Sequence, residues 1–114
     1  MIQIRRERHP DGSPANFTRG ELVRHRRYGY RGVVVAFDLK CLAPDDWYQS
    51  NQSQPRKDQP WYHVFVDGGT HTTYAAEDNL ILDHVPTPVQ HPLLELYFSA
   101  FSDGVYVRNE RAWG

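Results

Sequence analysis

The stretch ELVRHRRYGYRGVVVAF, residues 21–37, decides the fold. Its second half, Val33-Val34-Val35-Ala36-Phe37, is short, apolar and β-branched. That is the composition of a central strand covered on both faces, not of a surface strand that alternates. Its first half, Glu21–Arg27, holds Leu22 and Val23 and reads as a second strand. Between them, Tyr28-Gly29-Tyr30-Arg31-Gly32 contains two glycines, which supply backbone angles that other residues resist. The whole is therefore a β-hairpin.

Further strands follow. Trp61–Val66 is the third, Asp67-Gly68-Gly69-Thr70 a tight turn, and His71–Ala75 the fourth. Ala76-Glu77-Asp78-Asn79 makes a short turn or one helical turn before a brief fifth strand, Leu80-Ile81-Leu82. Short strands joined by tight turns predict an all-β fold, a small barrel, with Val23, Val34, Val64, Val66, Tyr74 and Leu80 in its core. Beyond the prolines of Val85–Pro88, the segment Pro92–Phe101 carries Leu94, Tyr97, Phe98 and Phe101 at helical spacing, with Pro92 at its start and Gly104 after it. It predicts one short C-terminal helix, with Val105–Val107 as a last short strand.

This divides the chain into a flexible N-terminal arm at 1–16, a barrel domain at 17–83 and a C-terminal extension with the helix at 84–114. His9–Pro14 gives the arm its turn chemistry, and Phe17 is placed to tether it. The second and third strands are joined by a long connection, 38–59. Leu42, Trp47 and Tyr48 are placed to pin its first part, and Asp45-Asp46 after Pro44 marks a turn or helix start. Its polar stretch, 50–58, is expected to be partly disordered and dispensable.

The totals narrow the function. With 114 residues the chain fits one domain, and its 13% aromatic content argues against disorder. It lacks an apolar run of membrane-spanning length, and Met1–Arg6 lacks the apolar stretch of a secretion signal. The lone Cys41 cannot form an internal disulfide, so a reducing cytoplasm is the expected location and no membrane is involved. The six histidines fall in no HxxxH or HExxH spacing; only His63 and His71, on either side of the Asp67–Thr70 turn, could face one another. With no nucleophile motif and no paired carboxylates either, no enzyme activity, metal or cofactor is expected. The net charge is −1, but residues 1–31 hold eight arginines against three carboxylates, leaving the remainder acidic. Such asymmetry fits an anion-binding face on an acidic body as well as an ordinary solvated surface.

Three blocks in order, GELVRHRRYGYRGVVVAFD (Gly20–Asp38), QPWYHVFVDGG (Gln59–Gly69) and TYAAEDNL (Thr73–Leu80), resemble the HspQ/YccV-like family, also called the hemimethylated-DNA-binding domain. The resemblance covers roughly 17–83 and implies an SH3-like barrel with no catalytic residues. It implies association with hemimethylated DNA, with the heat-shock response and with the Lon protease. The same domain occurs in certain F-box proteins of ubiquitin ligases, and His91–Phe101 with the following DGVYV looks more like those versions.

Two functions are therefore carried forward. One is a DNA-binding module that uses the basic hairpin: Arg24, Arg26, Arg27 and Arg31 for phosphates and guanine edges, Tyr28 and Tyr30 for sugars or exposed bases. Alternation along a strand sets Arg24 and Arg26 on one face and Arg27 on the other, so the turn must twist for all to meet one ligand. The alternative is a protein-binding adaptor in stress response or regulated proteolysis, with a Lon-type protease or another protein as partner. Its aromatic anchors would be Trp47, Tyr48, Trp61 and Tyr62, with Trp113 as a further one. Oligomerisation is left open.

Overall fold

The computed structural model describes residues 15–51, 53–85 and 87–108. The strands are β1 Leu22–His25, β2 Arg31–Asp38, β3 Trp61–Val66, β4 Thr72–Ala76 and β5 Leu80–Leu82. They form one antiparallel sheet in the order β4-β3-β2-β1-β5. A 3-10 turn, Glu77–Asn79, leads from β4 at one edge to β5 at the other. No ladder joins those two edges among the described residues, so the expected barrel takes the form of an all-β sheet with open edges.

The valine run explains the sheet. Val33, Val34 and Val35 are all buried because both faces of β2 are covered. On one face Val34 packs with Val23, Tyr62, Val64, Ala75 and Leu80, and with Ala15 and Phe17 from the preceding segment. On the other, Val33 and Val35 meet Leu22, Phe65, Val89, Phe98 and Tyr106. A register shift between Val34 and Ala36 leaves Val35 as a bulge. Of the expected core, Val23, Val34, Val64 and Leu80 are buried, whereas Val66 and Tyr74 are only half-buried. Phe17 is buried with its ring edge-on to Tyr62 at 5.2 Å. The rest of the expected arm, up to residue 14, lies outside the described residues.

The expected C-terminal helix is corrected. Only one helical turn forms there, Leu94–Tyr97, after which β6 Phe98–Ser102 and β7 Val105–Arg108 form a hairpin. Asp103 and Gly104 both have positive φ, 55° and 78°, as a two-residue hairpin turn of the Asp-Gly kind requires. The spacing of Phe98 and Phe101 that imitates a helix has another cause. A bulge between Phe98 and Ala100 inserts one residue, so positions three apart point to one face of a strand. The hairpin covers the second face of the sheet: the Tyr106 hydroxyl donates to the Val89 carbonyl and accepts from its amide, each at 3.1 Å.

The long connection is also corrected. It opens with helix α1, Asp45–Ser50, whose first turn carries Asp45 and Asp46 as expected. The polar stretch that follows is bonded into the fold. The Tyr48 hydroxyl lies 2.7 Å from the Pro55 carbonyl, Trp61 Nε1 donates to the Arg56 carbonyl at 3.2 Å, and the Cys41 amide donates to the Lys57 carbonyl at 2.9 Å. Lys57 pairs with Asp45. Replacing 53–58 with a short glycine linker would orphan the Trp61 indole and the Tyr48 hydroxyl. The expected result is a loss of about 1–3 kcal/mol, read as a lower denaturant midpoint.

Candidate functional site

The basic turn is built by His25. Its Nδ1 accepts the amides of Arg27 at 3.1 Å and Tyr28 at 3.0 Å, and its ring stacks on Tyr28 at 4.6 Å. Burial first, and the Arg27 charge second, push the imidazole pKa below its usual value, which keeps Nδ1 free to accept. Gly29, at φ 78°, closes the turn by donating a hydrogen bond from its N–H to the His25 carbonyl at 2.9 Å.

The six hairpin candidates separate here. Arg31 is not available to a ligand. Its guanidinium donates to Asp83 at 2.6 Å and to the carbonyl of Thr87 at 2.7 Å, with Asp67 at 3.6 Å. Arg24 is half-committed, donating to the Gly29 carbonyl at 2.9 Å and lying 3.7 Å from Asp83. Arg26 and Arg27 are exposed at the turn and form no ion pair among the described residues. Tyr28 is exposed and Tyr30 half-buried, and both line a groove.

That groove, about 610 Å³, gathers three parts of the chain. The turn supplies His25, Tyr28 and Tyr30; the long connection supplies Leu42, Pro44, Trp47 and Pro55; β4 runs along it from Thr72 to Ala76. Trp47 and Trp61, named as protein anchors, meet here edge-on at 6.2 Å, both beside Tyr74 at 5.7 and 5.3 Å. Tyr48 flanks Trp61 at 6.3 Å, its hydroxyl committed to the loop backbone. Tyr62 does not belong. It is fully buried on the other face, donating to Glu77 at 2.6 Å and accepting the amides of Asn16 and Phe17. Trp113 lies outside the described residues.

Sequence reasoning missed Tyr74, Asp38 and His63 as groove residues. The Tyr74 hydroxyl donates to Asp38 Oδ2 at 2.7 Å and accepts the Leu42 amide at 3.1 Å. Burial, and next among the raising causes the Asp38 carboxylate it faces, hold the Tyr74 pKa well above that of a free phenol. His63 stacks on Tyr74 at 4.6 Å and lies 3.5 Å from Asp38. It is paired in register with Tyr74, so the hairpin does not set it against His71. The available signal was the aromatic run itself, since Tyr74 follows two threonines on a strand whose neighbour carries Trp61 and His63.

β4 is an edge strand. The Val66–His71 and Glu77–Pro60 backbone bonds bracket the β3–β4 ladder. Strict alternation between them turns the amides and carbonyls of Thr72 and Tyr74 outward, where they have no backbone partner among the described residues.

The described residues thus form an all-β domain with a groove along a sheet edge and hold no metal-binding cluster. The chain belongs to the YccV-like family, described as "Hemimethylated DNA-binding protein YccV like", whose model matches residues 15–105. It is a family described by binding, not by a reaction. The proteins named "F-box only protein 21" from Homo sapiens, Pongo abelii and Mus musculus are each 34% identical over 93 residues, covering 79% of this chain. The chain spans only 15% of the length of those relatives. No solved structure matches.

Proposed function

We propose that this chain is a non-enzymatic recognition module that takes an extended segment of another protein into the groove along β4. The observation that carries this reading is the junction of an unpaired strand edge with an aromatic-lined cavity. Main-chain bonds to an edge supply affinity, and adjoining pockets select side chains. The exposed Leu42 and Tyr28 on the rim add apolar contact area. The test is selection of binders from a displayed peptide library, followed by amide exchange of the full chain with and without a selected peptide. Slower exchange at Thr72 and Tyr74 supports the reading; perturbation confined to Arg26–Gly29 overturns it.

A second reading, binding of hemimethylated DNA, is favoured by the family's description and by the exposed Arg26 and Arg27, which form no ion pair among the described residues. With Arg31 committed, few phosphate contacts are left to this hairpin, so affinity should be low and strongly salt-dependent. If DNA binds here, Arg26→Ala with Arg27→Ala should weaken unmodified and hemimethylated duplexes alike. It should also flatten the salt dependence by roughly 0.9 per lost phosphate contact, with unchanged melting temperature. Absence of duplex binding by the parent at low salt removes this reading.

A further inference from the structure

We infer that the groove selects a segment carrying a lysine or arginine, whose cationic head is held against the ring of Trp47 and the carboxylate of Asp38. This rests on the protein-segment reading above and specifies its partner.

The charge pattern comes first. No lysine or arginine lines the groove among the described residues, while Asp38 does. Asp38 is half-buried, with Oδ2 engaged by the Tyr74 hydroxyl, and Oδ1 has no partner among the described residues. Its neighbour His63 lies 3.5 Å from Oδ2. Within its lining the groove therefore offers a carboxylate and no lysine or arginine, which favours a cationic side chain beside Asp38, while Arg26 and Arg27 stand outside the lining on the turn.

The rings come second. Trp47 is half-buried and lines the cavity, standing edge-on to Tyr74, which is itself packed between Trp61 at 5.3 Å and His63 at 4.6 Å, so Trp47 is the ring left to a ligand. A cation over such a ring face is attracted by its negative quadrupole, most strongly where water is excluded. The Tyr74 hydroxyl, by donating to Asp38, fixes the carboxylate beside the ring it belongs to. One side chain can then meet the Trp47 ring and the carboxylate together, and its aliphatic stem can lie on the apolar wall formed by Leu42 and Pro44.

The test uses the full chain and a peptide selected from the library, compared with the same peptide whose lysine is replaced by norleucine, or whose arginine is replaced by citrulline. The neutral analogues should bind at least ~10-fold more weakly. Asp38→Asn and Trp47→Leu, each checked for native circular dichroism, should lose most of that discrimination. Because the analogue comparison needs no change in the protein, it stands even if a variant fails to fold. Equal binding of charged and neutral peptides overturns this inference while leaving the groove reading intact. Absence of any groove-binding peptide, or displacement of the peptide by a single-stranded oligonucleotide at the same residues, overturns both.

Discussion

Arg31→Met should destabilise the protein by about 3–5 kcal/mol, lowering the melting temperature by more than about 10 °C. The guanidinium, only 14% exposed, is the tie between the basic hairpin and the segment that follows β5. It neutralises Asp83, whose side chain is 3% exposed, and it also serves the carbonyls of Val85, Thr87 and Pro88. Methionine keeps much of the stem's packing and removes all of those bonds, leaving a buried carboxylate with the Val85 amide and the more distant Arg24. The pH dependence separates this cause from lost packing. Burial would raise the Asp83 carboxyl pKa, but hydrogen bonds from Arg31 and the Val85 amide, with the charges of Arg31 and Arg24, outweigh it and hold the pKa below the usual range. A depressed carboxyl contributes its stability in full above the unfolded value, about 4, and loses it as pH falls through the folded one. The gap between parent and variant should therefore be widest near neutral pH and narrow in acid. The control is Arg26→Met, which should stay within about 0.5 kcal/mol of the parent. Equal melting of parent and Arg31→Met, or a gap that does not change with pH, would show that the ion pair is not holding this segment.

Arg31 also marks where sequence reading stops. The local pattern around it was legible: two strands, a glycine turn and an apolar run all register in residue type, because backbone conformation depends on near neighbours. Strands β1 to β5 and the turn at Glu77–Asn79 stand close to their expected positions for that reason. The partner of a charge is a different matter. Asp83 lies 52 residues away in sequence, and nothing near Arg31 announces it. Four arginines within eight residues therefore look alike in sequence, although one is a buried tie, one is half-committed and two form no ion pair among the described residues. The same limit explains Tyr62. Strand alternation by itself would set one of Trp61 and Tyr62 inside and the other out, but the sheet is covered on both faces, so both are buried.

The groove was legible in its parts and not in its assembly. Tyr28 and Tyr30 were assigned to one function and Trp47 and Trp61 to another, because the hairpin and the long connection are separated in the chain. Folding brings them to one cavity over β4, and the Tyr30 hydroxyl, 2.8 Å from Thr73 Oγ1, joins the turn to that strand. The C-terminal segment failed for a converse reason. Its helix-like spacing was real, but it arose from a β-bulge, and the Asp103-Gly104 turn that requires a hairpin was read as a helix stop.

Gly20→Ala should cost about 2–4 kcal/mol, far more than an ordinary surface substitution, through two separable effects. Gly20 has φ 96°, a conformation that strains any residue with a β-carbon. An added Cβ would also stand 2.2 Å from the Tyr106 carbonyl oxygen, so the main chain itself must move. That contact is where the C-terminal hairpin joins the sheet: the Gly20 amide donates to the Val34 carbonyl at 2.8 Å, and the Tyr106 amide donates to the Gly20 carbonyl at 2.9 Å. Gly68→Ala isolates the first effect. Gly68 has a similar φ, 86°, but a Cβ there meets nothing within 4 Å, so only backbone strain of about 1 kcal/mol is expected. The excess at Gly20 measures the close approach of hairpin to sheet. Amide exchange locates it: in Gly20→Ala, protection should fall at Tyr106 well before it falls at Val64 in the first core cluster. Equal costs for the two variants, or a loss of protection spread evenly over both sites, would mean that the hairpin is not held to the sheet at this point.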